Sequence, residues 1–123
     1  MLEEELTKQI ISCAYKVHTA LGPGLLESAY KTCLHYELNK AGMNALVEVP
    51  MPLVYEEIRM ECGYRVDIIV DNKVIVEVKA VAGLNDVHTA QVLTYLRLSG
   101  CKIGLLMNFH VQHLRNGIKR LML

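Results

Sequence analysis

At 123 residues the chain is short enough for one domain and long enough to bury one real core. A hydrophobic content of 52% without a long apolar run excludes a transmembrane helix, and 13 basic against 13 acidic side chains exclude the global basic excess of a DNA-coating protein. The acidic start Met1-Leu2-Glu3-Glu4-Glu5 argues against a secretory or transit peptide, and Cys13, Cys33, Cys62 and Cys101 lack any C-x-x-C spacing, so they read as reduced thiols of a cytoplasmic protein.

Leu6 to Ala20 reads as an amphipathic helix with Leu6, Ile10, Ala14, Val17 and Leu21 on one stripe. Leu21-Gly22-Pro23-Gly24 stops it, Gly22 as a left-handed cap and Pro23 as a residue that cannot continue the ladder. A second helix runs from about Leu25 to Lys40, turning Leu26, Ala29, Tyr30, Cys33, Leu34, Leu38 and Ala41 inward, and Gly42 ends it. Val47 to Met60 predicts two strands, the first at a sheet edge because of Pro50 and Pro52, with Glu56-Glu57 at the turn. A central hairpin follows, then the loop Val81-Ala82-Gly83-Leu84 and a third helix capped by Asn85, reaching Leu98 and closed by Ser99-Gly100. Lys102 to Asn108 is a buried strand, followed by a short segment near Val111–Arg115 and a final strand from Ile118 to Leu123. The order is α-α-β-β-β-β-α-β-β, without internal repeat or linker.

The hairpin carries the chemistry. Tyr64-Arg65-Val66-Asp67-Ile68-Ile69-Val70 and Val74-Ile75-Val76-Glu77-Val78-Lys79 are apolar, β-branched runs with ionisable residues where a buried strand should have none. With Asp71-Asn72-Lys73 as the loop, Val70 pairs with Val74 and Asp67 lies opposite Glu77, sharing a face with Lys79. Ile69 and Ile75 fall on that face, while Val66, Ile68, Val70, Val74, Val76 and Val78 fill the other, as in a central pair flanked by helices. The residues by themselves admit two readings: a metal-dependent hydrolytic site, or a cross-strand salt bridge on a solvated face.

Three further features bear on this choice. Glu27 lies in the first turn of the second helix, where a glutamate is also stabilised by the helix dipole alone. His88, Gln91 and Tyr95 share a polar, uncharged stripe of the third helix, suited either to a cleft or to the core boundary. In the hairpin register Arg65 faces Lys79, a like-charge pair that calls for an anion between them unless Arg65 snorkels outward.

Gly24-Leu25-Leu26-Glu27-Ser28-Ala29-Tyr30 resembles the G-x-x-E-x-x-Y signature of a family of small proteins grouped with the PD-(D/E)xK nuclease superfamily. The resemblance extends through Gly63 to Asp67, Val76 to Ala80, Ala90 to Leu96, Asn108-Phe109 and Gly117 to Arg120. Asp67 with Glu77-Val78-Lys79 is similar to the superfamily motif, and Gln91 and Tyr95 to the Q-x-x-x-Y element of its exonuclease-like branches. Val66 stands where the motif's name has proline. The resemblance implies an α/β fold with a central mixed sheet flanked by helices, the restriction-endonuclease-like core. It implies Glu27, Asp67, Glu77, Lys79, Gln91 and Tyr95 as catalytic residues. Glu27, Asp67, Glu77 and the Val78 carbonyl would hold Mg²⁺ or Mn²⁺, hard cations suited to oxygen donors. The implied partner is nucleic acid, DNA or RNA. The alternative is a catalytically silent nucleic-acid-binding or dimerisation module on the same fold. Small size and zero net charge fit a chain that works as a homodimer or with a partner subunit.

Overall fold

The computed structural model describes residues 2–123. Its elements are α1 (Glu3–Leu21), α2 (Glu27–Lys40), β1 (Ala45–Pro50), β2 (Leu53–Tyr55), β3 (Ile58–Met60), β4 (Arg65–Val70), β5 (Val74–Lys79), α3 (Asp86–Ser99), β6 (Ile103–Asn108), a 3-10 turn (Leu114–Asn116) and β7 (Ile118–Met122). Five strands form one sheet in the order β1-β4-β5-β6-β7. Among the described residues only β5 and β6, joined through α3, run parallel; the other neighbours in this sheet are antiparallel. This is the mixed α/β architecture expected from the sequence. Among the described residues no helix is long and apolar enough to cross a membrane.

The stretch Val47 to Met60 holds three strands, not two. Pro50-Met51-Pro52 cannot supply a continuous ladder, so β1 stops at Pro50 and pairs with β4 at the sheet edge. The chain then folds back on itself as the separate hairpin β2–β3 around Glu56-Glu57.

Two apolar layers enclose the sheet. On one face α1 contributes Leu6, Ile10, Ala14 and Val17, and α2 contributes Tyr30, Leu34 and Leu38, against Ile68, Val70, Val74, Val76 and Val78. On the other, Val92, Tyr95 and Leu96 of α3 cover Ile69, Ile75 and Leu106. Gly104 of β6 makes that approach close: a Cβ there would stand 2.5 Å from Val92 Cγ1. Four positions depart from the expected pattern. Leu21 is 39% exposed and Leu26 77%, and Ala41 is exposed as well. Helix α2 begins only at Glu27, leaving Leu26 extended outside it, while Ala41 is the cap beyond its end. Val66 packs with the α3 layer and not with Ile68, because the alternation of β4 changes side at Asp67. Opposite that point Glu48 sits at φ 52°, uncommon for a residue with a side chain.

The turn between α1 and α2 is fixed from below. Gly22 takes a positive φ of 68° but an extended ψ of −175°, so it redirects the chain and does not form the expected left-handed cap. Tyr30, completely buried, donates its hydroxyl to the Gly22 carbonyl at 2.6 Å and accepts from the Leu25 amide at 3.0 Å. Its ring stacks on Phe109 with centroids 4.7 Å apart. The tyrosine thus fixes the loop that presents Glu27 at the start of α2. Replacing Tyr30 by Phe keeps the stack but leaves both backbone groups without this partner, and should lower unfolding free energy by about 1–3 kcal/mol. Urea denaturation checks this; an unchanged midpoint would mean that the loop needs no such tie.

Candidate metal-binding and catalytic site

The central hairpin closes with Val70 opposite Val74, Ile69 opposite Ile75 and Ile68 opposite Val76, the register read from the sequence. Asp71 and Asn72 turn it with φ near 52° and 55°, conformations that Asp and Asn tolerate better than other side chains. Beyond Ile68 and Val76 the backbone ladder ends and side chains take its place. Glu77 Oε2 accepts from the Asp67 amide at 2.7 Å, and Asp67 Oδ2 accepts from the Val78 amide at 2.8 Å. The two carboxylates therefore meet in the gap between the parted strands, each held by the other's strand. The parting also removes the expected opposition of Arg65 and Lys79: Arg65 is exposed and pairs with Pro50 of β1.

This arrangement is electrostatically costly. Glu77 is 3% exposed, and its pKa is pushed up to about 8 by burial first and by the Asp67 charge second. The Asp67 amide and the cations Lys79 and Lys31 pull it back only in part. Burial raises Asp67 as well, against the opposing pull of the Val78 amide and the same two lysines. Two carboxyls this close titrate as a pair, and both ionise readily only with a cation between or beside them.

Two members of the cluster escape the sequence reading. Lys31 of α2 bonds Glu48 of β1 and lies 3.8 Å from Asp67 Oδ1. Burial draws the Lys31 pKa down, but its bond to Glu48 and the charges of Asp67 and Glu77 outweigh that, and the net shift is upward. A signal was present: Lys31 falls four residues after Glu27 on the same helix face, and Glu48 interrupts the apolar pair Val47 and Val49.

From the α3 side, Lys79 Nζ donates to Gln91 Oε1 at 3.0 Å, within electrostatic reach of both carboxylates. Tyr95 is buried beside Gln91; burial raises its pKa, the Glu77 charge adds to the rise, and the hydrogen-bonded Gln91 opposes it. Glu27 is exposed, with Oε2 3.4 Å from the Ala80 amide, so its carboxylate is turned to the C-terminal end of β5, one residue past Lys79. His88 is engaged at the helix start instead. It completes a capping box, with its Nδ1 accepting from the Asn85 amide while Asn85 accepts from the His88 amide.

Two carboxylates on neighbouring strands are oxygen donors of the kind that a hard divalent cation takes. Among the described residues no three acidic, histidine or cysteine side chains come together closely enough to hold a metal ion by themselves. A family model described as the PD-(D/E)XK nuclease superfamily matches residues 4–121. No curated protein and no solved structure matches the chain.

The raised carboxyl gives a pH prediction with a definite sign. Between the ordinary glutamate value of 4.5 and about 8, the folded metal-free protein holds a proton that the unfolded chain has released. Stability therefore falls as pH rises through that window. Melting curves in EDTA should show this decline for the wild type, and Glu77→Gln should flatten it and melt several degrees higher at pH near 8. Parallel pH profiles for the two proteins would contradict the buried charge.

Proposed function

We propose a function from the family to which the chain belongs, the PD-(D/E)XK nuclease superfamily: it is a divalent-metal-dependent phosphodiesterase acting on DNA or RNA. Within the superfamily, the segment Gly24 to Tyr30 allies it with the G-x-x-E-x-x-Y proteins. The observation that carries the reading is the buried Asp67–Glu77 pair on an opened strand ladder with Lys79 alongside. So unfavourable a pairing is explained by an exogenous cation.

Asp67, Glu77 and the Val78 carbonyl would hold Mg²⁺ or Mn²⁺, with Glu27 adding an acid through a retained water. When bound, such a cation polarises the phosphodiester and lowers the pKa of a coordinated water. Lys79 orients the attacking water and balances the charge that builds on the phosphorus oxygens. Gln91 keeps the lysine ammonium in place, and Tyr95 steadies Gln91, so both act as positioning residues. A silent nucleic-acid-binding module is the second reading, favoured by one observation: Lys31 already gives Asp67 a cation of the protein's own.

Labelled single- and double-stranded DNA and RNA, titrated with Mn²⁺ and Mg²⁺, separate the two. We expect metal-dependent cleavage by the wild type, reduced at least about a hundredfold, or roughly 2.7 kcal/mol of barrier, in Asp67→Asn and Lys79→Met. Mn²⁺ should raise the melting temperature of wild type and Lys79→Met but not of Asp67→Asn. Glu27→Gln should lose about tenfold in cleavage with its melting temperature within a few degrees. Nucleic-acid binding with neither cleavage nor a metal shift would favour the silent module.

A further inference from the structure

A cavity of about 330 Å³ opens directly beside the carboxylate site, between α3 and the strands that precede β4. Leu53, Tyr64, Val87, Gln91, Thr94 and Tyr95 line it. It shares Gln91 and Tyr95 with the site, and Gln91 holds Lys79, so the cavity begins one side chain from the lysine. Its walls are mainly apolar and carry no acidic residue. Tyr64 is 47% exposed, yet its backbone is fixed: the Tyr64 carbonyl accepts from the Met51 amide at 2.8 Å, and Arg65 next to it pairs with Pro50. Tyr64 and Tyr95 both line this one opening, from the strand side and from α3. Arg97 Nη2 donates to Thr94 Oγ1 at 3.2 Å, setting a guanidinium at the rim.

We propose that this cavity receives an unpaired nucleobase next to the scissile phosphate, and that the substrate is single-stranded nucleic acid or a strand with a splayed nucleotide. The proposal rests on the phosphodiesterase reading for its class of ligand. An exposed aromatic ring on a rigid strand end offers a stacking face to any base, at little further cost in side-chain entropy. The Gln91 amide, the Thr94 hydroxyl and the two phenols offer donors and acceptors to a base edge, and Arg97 at the rim matches a flanking phosphate. A base stacked inside a duplex cannot enter such a cavity without being extruded.

Fluorescence anisotropy of a short labelled oligothymidylate, and of the same strand in a duplex, tests this in EDTA, where cleavage does not intervene. The wild type should bind the single strand about tenfold more tightly than the duplex. Tyr64→Ala should lose about tenfold on the single strand and little on the duplex, whereas Tyr64→Phe, which keeps the ring, should stay within about twofold. Melting temperatures of both variants, at an exposed position, verify that they are folded. Equal binding of Tyr64→Ala and wild type, no preference for the single strand, or no binding to either would overturn the proposal. The outcomes also part it from the reading beneath it. Stacking-dependent binding without metal-dependent cleavage would leave the base site standing and remove the enzyme. Cleavage with Tyr64→Ala binding unchanged would do the reverse.

Discussion

Everything chemical in this fold depends on one exchange of partners between β4 and β5. After three regular pairs the ladder gives way, and the Asp67 and Glu77 carboxylates accept the amide bonds that strand oxygens would otherwise take. A backbone amide left unpaired inside the sheet would be costly, so the carboxylates are structural as well as chemical groups. The same substitution buries two like charges. Each acid stabilises the hairpin through hydrogen bonding while destabilising it through desolvation and repulsion, and the second effect is large enough to move the Glu77 pKa to about 8.

Neighbouring elements reach this pair from opposite faces of the sheet. From α2 come Lys31, against Asp67 and Glu48, and Glu27, against the Ala80 amide. From α3 comes Gln91, which holds Lys79. The first contribution is aligned by Tyr30, whose hydroxyl spans the turn from Gly22 to Leu25. The second relies on Gly104, since any larger residue there would press against Val92 and displace the helix that carries Gln91 and Tyr95.

The hairpin was legible because strand periodicity and a three-residue loop leave only one register that buries the valines. The third helix was legible from Asn85 and Gly100, whose cap chemistry marks both ends. Val66 was misread because the period of two fails where the carboxylates part the strands, and nothing in the sequence announces that break. Strand β2 was merged with β1 because the proline pair was taken to weaken one strand when it separates two, whereas the turn at Glu56-Glu57 before β3 was read correctly. Lys31 and Glu48 were passed over because each is a lone charge, one on a helix and one on an edge strand; their partnership is a product of tertiary folding. Glu27 drew attention through a motif, and its placement at the end of β5 was not readable from helix spacing.

The parts of the cluster differ in how far apart they lie along the chain. The bonds joining Asp67 to Glu77 and Val78 close loops of 10 and 11 residues, and the Lys79–Gln91 bond closes one of 12. The Glu27 contact with Ala80 closes one of 53. Loop-closure entropy grows slowly with length, so this difference costs only about 1 kcal/mol, but it divides the cluster by chain connectivity. The hairpin acids, the lysine and its glutamine belong to one contiguous segment. Glu27 and Lys31 arrive on a helix from the opposite end of the sequence and depend on its docking. Local opening of α1 and α2 would withdraw a glutamate and a lysine together, keeping the net charge around Asp67 and Glu77 unchanged while leaving Lys79 as the lysine that still offsets them.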